Sequence, residues 1–93
     1  MITVRTFRGF FPRLRGLAWY RSYPFAYPGY FPRCRGIHTV GMRFPLDVVM
    51  LDRDGFVAAL YENLGPFRFR WHKNAGSVLE MTAGGIRSYR LKV

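Results

Sequence analysis

The feature that most constrains the fold of this chain is a pair of apolar runs joined by a short polar turn. Residues 44–52 read FPLDVVMLD, residues 53–55 read RDG, and residues 56–64 read FVAALYENL. The Asp54-Gly55 pair supplies the positive backbone φ angles that tight hairpin turns require. We therefore predict an antiparallel β-hairpin over residues 44–64, and with it a β-rich domain.

An acid, Asp47, interrupts the first arm of this hairpin. A carboxylate inside such an apolar run is costly to bury unless it is paired or accepts several hydrogen bonds. Arg15 and Arg43 are candidate partners, and the backbone amides of residues 36–42 are the alternative. We predict that Asp47 fixes the loop carrying His38 onto the hairpin, so that both residues line one polar pocket.

Further strands are expected on both sides of the hairpin. The patterns predict strands at residues 2–7 (ITVRTF), 67–71 (FRFRW) and 77–81 (SVLEM), a turn at 83–85 and a helical turn in IRSYRL. Strict alternation in FRFRW places its aromatic residues on one face and its arginines on the other. We expect Phe67, Phe69 and Trp71 to enter the core and the arginines to be solvated.

The N-terminal third carries a helical pattern followed by a proline-rich segment. Apolar residues recur every three or four positions after residue 7, and Pro12 suits a first helical turn, so we predict a helix over residues 12–20. Residues 22–36 have a proline every four positions with Tyr and Phe between them. Proline stops helices and removes ladder donors, which predicts an extended, aromatic-lined loop.

Length and charge limit the classes of function. The 93 residues suffice for one domain, and fifteen Lys and Arg against five Asp and Glu give a formal charge of +10, which favours anionic partners. Arginines interrupt any apolar run near the N-terminus, and no run approaches the length that spans a bilayer, so we expect neither signal peptide nor transmembrane segment and a cytoplasmic location. Cys34 is the only cysteine, which excludes an internal disulfide.

Several motifs occur together in one order and at fitting intervals. They are RLRGL (13–17), CRGIHTVGMRFPLDVVMLDRDGFV (34–57), NLGP (63–66) and VLEMTAGG (78–85). As a set they resemble the domain-of-unknown-function 192 family, also called the UPF0127 family of small bacterial and archaeal proteins. The resemblance implies a compact α+β domain of mainly antiparallel strands, forming a barrel-like or strongly curled sheet with one or two short helices. It implies no catalytic activity.

The chain departs from that family pattern in two places. Family members usually continue past this point with a closing strand, so we expect the final strand to be missing and an open edge to invite pairing with a second copy. Many relatives carry an export signal or lipid anchor before the domain, and we expect none here.

The sharpest catalytic hypothesis joins Cys34, His38 and Asp47 as nucleophile, base and orienting acid. If residues 34–38 are extended, Cys34 and His38 lie about 13 Å apart, far beyond hydrogen-bond reach. Glu80 with Asp47 would resemble a glycosidase pair only at a separation of about 5–9 Å. His72 is the only other histidine, so we predict no metal and no cofactor.

Three functional hypotheses remain. The first is a small non-catalytic binding or accessory domain for an unknown small ligand or protein, with a polar pocket around the His38 loop and Asp47. The second is nonspecific binding of anionic polymers such as nucleic acid through the arginine-rich surface, and the third is an enzyme using His38 and Asp47. The candidate ligand-binding residues are Arg15, Cys34, His38, Thr39, Met42, Arg43, Asp47 and Glu80.

Overall fold

The computed structural model describes residues 3–6, 27–40 and 42–93 as strands, turns and one short helix. The predicted helix over 12–20, Arg15 and residues 22–26 of the proline-rich segment lie outside the described residues. The prediction that this segment is a loop is wrong for Gly29–Pro32, which forms a strand. The strands are β1 (Arg5–Thr6), β2 (Gly29–Pro32), β3 (Gly36–His38), β4 (Leu46–Leu51), β5 (Val57–Leu64), β6 (Phe69–Trp71) and β7 (Ser77–Thr82), and the helix is α1 (Gly85–Ser88).

The strands form two sheets. The larger has the order β1-β2-β7-β4-β5, with β1 parallel to β2 and every other pair antiparallel. The smaller is a two-stranded antiparallel ribbon of β3 and β6. The prediction of a mainly β domain with a curled sheet is compatible with this arrangement. Closure into a barrel is not found in the described residues, because β1 and β5 are opposite edges of the larger sheet.

The predicted hairpin is confirmed as β4 and β5. Its turn places Gly55 at a φ of 88°, and the Oδ1 atom of Asp52 accepts hydrogen bonds from the amides of Asp54 and Phe56 at 2.9 and 3.0 Å. The side chain of Asp52 thus satisfies turn amides that the strand ladder leaves free. The strand in SVLEM and the helical turn after it are also confirmed, as β7 and α1.

The apolar run of β4 is buried on both faces because the larger sheet has a core on each side. Leu46, Val48 and Met50 belong to the first cluster, while Val49 belongs to the second. The first cluster comprises Phe31, Met42, Leu46, Val48, Met50, Leu64, Ala75 and Val78. The second comprises Val49, Leu79, Met81 and Ile86, the last from α1. A strand with both faces covered reads as a continuous apolar run rather than an alternating one.

The β3–β6 ribbon covers the first cluster. Ile37 packs against that cluster, and the guanidinium of Arg70, directly opposite Ile37 in the ribbon, lies 5.5 Å from the centre of the Tyr61 ring. Helix α1 contacts β4 and β7 and contributes Ile86 to the other cluster. The larger sheet therefore separates the ribbon from α1.

The prediction that the aromatic residues of FRFRW enter the core is wrong. Phe67, Phe69 and Trp71 are 69%, 68% and 64% exposed. It is Arg70 that turns inward, where its cation faces the Tyr61 ring. The alternating pattern correctly predicted which residues share a face. However, the face that carries Arg70 points to the core, and the aromatic residues point to solvent.

Two features bear on location and assembly. Among the described residues, none of the helical structure is long and apolar enough to cross a membrane. Strands β1 and β5 are edges of the larger sheet, so self-association through an edge stays a prediction.

Candidate functional site

Asp47 is fully buried and its carboxylate accepts hydrogen bonds from three backbone amides. Oδ1 accepts the amide of Asn63 at 2.8 Å, and Oδ2 accepts the amides of Gly84 and Ile86, each at 3.0 Å. Gly84 and Ile86 lie at the start of α1, where amides have no partner within the helix. Asp47 therefore caps a helix that is distant in sequence and ties it to the hairpin.

The Asn63 amide is available because the hairpin contains a β-bulge. Leu46 pairs with Leu64 and Val48 pairs with Tyr61, so two residues of β5, Glu62 and Asn63, oppose Asp47. A bulge leaves one residue outside the ladder, and Asn63 adopts a left-handed φ of 53° there. The carboxylate accepts the amide that this irregularity frees.

Asp47 does not form the expected hydrogen bonds with the loop that carries His38. The hydrogen bonds of Asp47 come from β5 and the start of α1 instead of from the amides of residues 36–42. Asp47 lies opposite Met81, on the sheet face of the second cluster, whereas His38 belongs to the ribbon over the first. The two residues lie on different sides of the larger sheet and do not share a polar pocket.

Thr39 fixes the loop after β3. It is fully buried, its hydroxyl donates to the carbonyl of Gly65 at 2.7 Å, and Oγ1 accepts the amide of Arg68 at 2.8 Å. Its own amide donates to the Arg68 carbonyl at 2.9 Å, and its carbonyl accepts the amides of Met42 and Phe67. One threonine thereby holds the segment that leads into β6, and with it the position of the ribbon.

The outer face of the ribbon presents large rings to solvent. The register places Trp71 opposite Gly36 and Phe69 opposite His38, and directly opposed residues share a face. The rings of His38 and Phe69 have centroids 6.0 Å apart and are tilted by 42°. We call Gly36, His38, Phe69 and Trp71 the aromatic face.

Glycine is required at position 36 by close contacts. A Cβ atom there would lie 2.8 Å from the Arg70 carbonyl oxygen and 3.4 Å from Cδ1 of the Trp71 indole. The absence of a side chain therefore lets Trp71 lie against the neighbouring strand. The ribbon surface forms an open cleft of about 360 Å³, lined by the aromatic face together with Ile37 and Arg70.

The charge around this cleft is of one sign. Residues 33–40 and 66–74, which form the ribbon and its flanks, contain Arg33, Arg35, Arg68, Arg70 and Lys73 and neither Asp nor Glu. Arg35, Arg68 and Lys73 are exposed. Arg35 directly precedes β3 and Arg68 directly precedes β6, so an exposed cation lies at each end of the antiparallel ribbon.

Glu80 is buried on the other face of the sheet from Asp47. It pairs with Val48 and Gly29 in the register, on the side of the first cluster. Burial raises its pKa from the usual 4.5 to about 7, because desolvation disfavours the charged carboxylate. The two acids do not face each other, so they do not form a glycosidase-like pair.

The remaining candidate residues are dispersed. Cys34 is half-buried and its thiol donates to the Gly36 carbonyl at 3.0 Å, Met42 is buried in the first cluster, and Arg43 is exposed. With Asp47 across the sheet from His38, the proposed Cys34–His38–Asp47 set is not brought together. In the part of the chain that the structure describes, no three His, Cys, Asp or Glu side chains cluster as metal ligands.

A larger open cleft, of about 560 Å³, lies between the hairpin turn and the turn after β6. Two of its polar side chains already serve these turns: Asp52 accepts the amides described above, and Nδ1 of His72 accepts the amide of Asn74 at 3.1 Å. We therefore regard the aromatic face, whose Phe69 and Trp71 were predicted from the sequence to enter the core, as the stronger candidate site.

The described residues define a small, mainly β domain that carries an exposed aromatic surface. The chain belongs to the DUF192 family (Uncharacterized ACR, COG1430), whose model matches residues 1–93. No curated protein matches the sequence.

Two solved structures share the fold. One is a protein of unknown function from Novosphingobium aromaticivorans, with a TM-score of 0.80, 18% identity, and coverage of 96% of this chain and 69% of the other. The second is a candidate transcription regulator from Sinorhizobium meliloti, with a TM-score of 0.82, 21% identity, and coverage of 98% and 76%. At these identities the similarity establishes the fold alone.

Proposed function

We propose that this protein is a non-catalytic binding module whose ligand-contacting surface is the aromatic face of the β3–β6 ribbon. The observation that carries the proposal is the exposure of Phe69 and Trp71, 68% and 64%, side by side with His38 on one small ribbon. Adjacent large rings left in water are a typical sign of an interaction surface in a small domain.

The construction of the ribbon supports this proposal. Gly36 accommodates the indole of Trp71, and the hydrogen bonds of Thr39 hold the start of β6. The inner face is anchored by Ile37 against the core and by Arg70 over Tyr61. A surface whose rings are held by the fold loses less conformational entropy when it binds a ligand.

The acids support a binding role over a catalytic one. The carboxylate of Asp47 is occupied by three amides, and Glu80 is buried on the opposite sheet face. General acid–base catalysis requires a group within hydrogen-bond reach of the substrate and of its partners. We therefore assign His38 a contact role beside Phe69 and assign it no proton transfer.

Binding of an aromatic anion, the dye anilinonaphthalene sulfonate, tests the proposal. We expect the wild type to enhance its fluorescence, and Trp71→Ala and Phe69→Ala to weaken that binding. Phe56→Ala is the matched control, because Phe56 is 71% exposed at the hairpin turn, outside the ribbon. Equal dye binding by the ribbon variants and the wild type would contradict the proposal. Thermal melting of each variant checks that the fold is retained.

A further inference from the structure

We infer, building on the proposed function, that the aromatic face binds single-stranded nucleic acid, with bases stacking on Trp71, Phe69 and His38 and phosphates contacting Arg35 and Arg68 at the ends of the ribbon. Surfaces that bind single strands combine stacking rings with cations that follow the backbone. Both elements occur on this ribbon.

The spacing of the rings suits separate bases. Phe69 and Trp71 are two residues apart on one strand, which places their Cα atoms about 6.6 Å from each other. The His38 and Phe69 rings are tilted by 42° at 6.0 Å, so they do not stack on one another. With 68% and 64% of their surface exposed, Phe69 and Trp71 retain ring surface for a base.

The charge of the chain complements a polyphosphate. Arg35 and Arg68 flank the ribbon strands and are exposed, and the segments that form the ribbon contain no acid. The formal charge of +10 includes five acids, of which Asp47 and Glu80 are buried. Repulsion of an incoming phosphate near the aromatic face is therefore small.

The chemistry of the aromatic face favours a single nucleic-acid strand over a duplex and over an acidic peptide. In a duplex the base faces are hidden, and phenyl rings offer no donors for the base edges in a groove. An acidic peptide would use the arginines but would leave the stacking surfaces without a planar partner. Unpaired bases on a phosphate backbone use the rings and the cations together.

The test is fluorescence anisotropy with labelled oligothymidylate of about 12 nucleotides, within the site sizes of about 4–16 nucleotides that such domains show. A duplex of the same length and polyglutamate are the comparison ligands. We expect the single strand to bind more tightly than either. Trp71→Ala or Phe69→Ala should weaken its binding roughly 5- to 150-fold, the equivalent of about 1–3 kcal/mol per stacked base.

Two controls separate stacking from charge. Phe56→Ala removes an exposed ring outside the ribbon and should leave the affinity for the single strand unchanged. Arg35→Ala should reduce the slope of log affinity against log salt by about 0.7, the value for one phosphate contact on a single strand. Arg53→Ala, which removes an exposed cation at the hairpin turn, should leave that slope unchanged.

Three results would overturn this inference, and they have different consequences for the proposed function. Equal affinity for single strand and duplex, unaffected by Trp71→Ala, would reduce the binding to bulk charge. Binding of polyglutamate but not of the oligonucleotide, lost in Trp71→Ala, would retain the aromatic face and assign it an acidic peptide. No binding of the oligonucleotide, together with dye binding that Trp71→Ala does not change, would remove the proposed function as well.

Discussion

Asp47 and Glu80 lie on neighbouring, directly paired strands but on opposite faces of the same sheet. Asp47 is opposite Met81, and Glu80 is opposite Val48, in an unbroken antiparallel register. Because side chains alternate between faces along a strand, the two carboxyl groups point into different halves of the core. They therefore act independently of each other, and we expect substitution of each one to change the stability of the protein in a different way.

Replacing Asp47 with Asn should destabilise the protein. The amide group of Asn keeps the shape but turns one acceptor into a donor that faces the backbone amides. Each lost hydrogen bond to the carboxylate costs about 1.5–3 kcal/mol of unfolding free energy. Urea denaturation measures the loss. Asp54→Asn, at an exposed position in the hairpin turn, is the control and should change stability by less than about 0.5 kcal/mol. Equal losses in the two variants would refute the role of Asp47.

Glu80 should make the stability of the protein depend on pH. Its folded-state pKa of about 7 exceeds the usual 4.5, so between these values the folded state retains a proton that the unfolded state has released. Its contribution is therefore fully present below pH 4.5 and declines as pH rises to about 7, by roughly 3 kcal/mol.

The variant Glu80→Gln should lack this loss. We expect wild type and variant to have similar pH dependence below pH 4.5, and the variant to gain relative stability between pH 5 and pH 8. Denaturant unfolding of both proteins across this range gives the difference, from which the other titrating groups cancel. A difference that stays constant with pH would show that Glu80 is not held protonated by burial.

Replacing Thr39 with Val should loosen the ribbon. The substitution keeps the volume but leaves the amide of Arg68 and the carbonyl of Gly65 without the hydroxyl, at about 1–3 kcal/mol for each unsatisfied group. Faster hydrogen exchange at the Arg68 amide should accompany the loss of stability. Thr82→Val, at an exposed end of β7, is the control. Unchanged exchange at Arg68 in the Thr39 variant would contradict the expectation.

Gly36→Ala should disturb the aromatic face without replacing any of its rings. The new Cβ would lie 2.8 Å from a backbone oxygen of Arg70, so the two ribbon strands must separate slightly. We expect a destabilisation of about 1–3 kcal/mol, typical of overpacking, and weaker dye binding.

Gly65→Ala is the matched control for this substitution, because a Cβ there meets nothing within 4 Å. It should leave dye binding unchanged and stability unchanged or slightly raised, since alanine has less freedom in the unfolded chain. If the two glycine variants show the same stability and the same dye binding, the close contact at Gly36 does not contribute to either property.

The hairpin, β7 and α1 could be predicted because their signals are local. The Asp54-Gly55 turn and the apolar runs on each side are contiguous in sequence. The burial of Asp47 was also predictable from its apolar neighbours. Its partners were not, because they are backbone amides, which carry no side-chain signature, and two of them are supplied by the start of α1.

The orientation of β6 shows a second limit of prediction from the sequence. Period-two alternation identified Phe69 and Trp71 as sharing a face, but only the position of the ribbon over the first cluster decides which face is buried. There, Tyr61 offers a ring that accommodates the Arg70 cation, and Ile37 supplies the apolar contact. Which face of β6 is buried therefore depends on residues from three strands and cannot be predicted from FRFRW alone.

The strand order has a consequence for the way the chain assembles. Strand β7, which ends at Thr82, lies between β2 and β4 and is the connection through which the N-terminal strands join the hairpin. The hairpin is able to form early from neighbours in sequence, but β2 must wait for synthesis to reach residues 77–82. Folding therefore depends on late, long-range strand pairing, and we expect this protein to fold more slowly than a helical domain of its size.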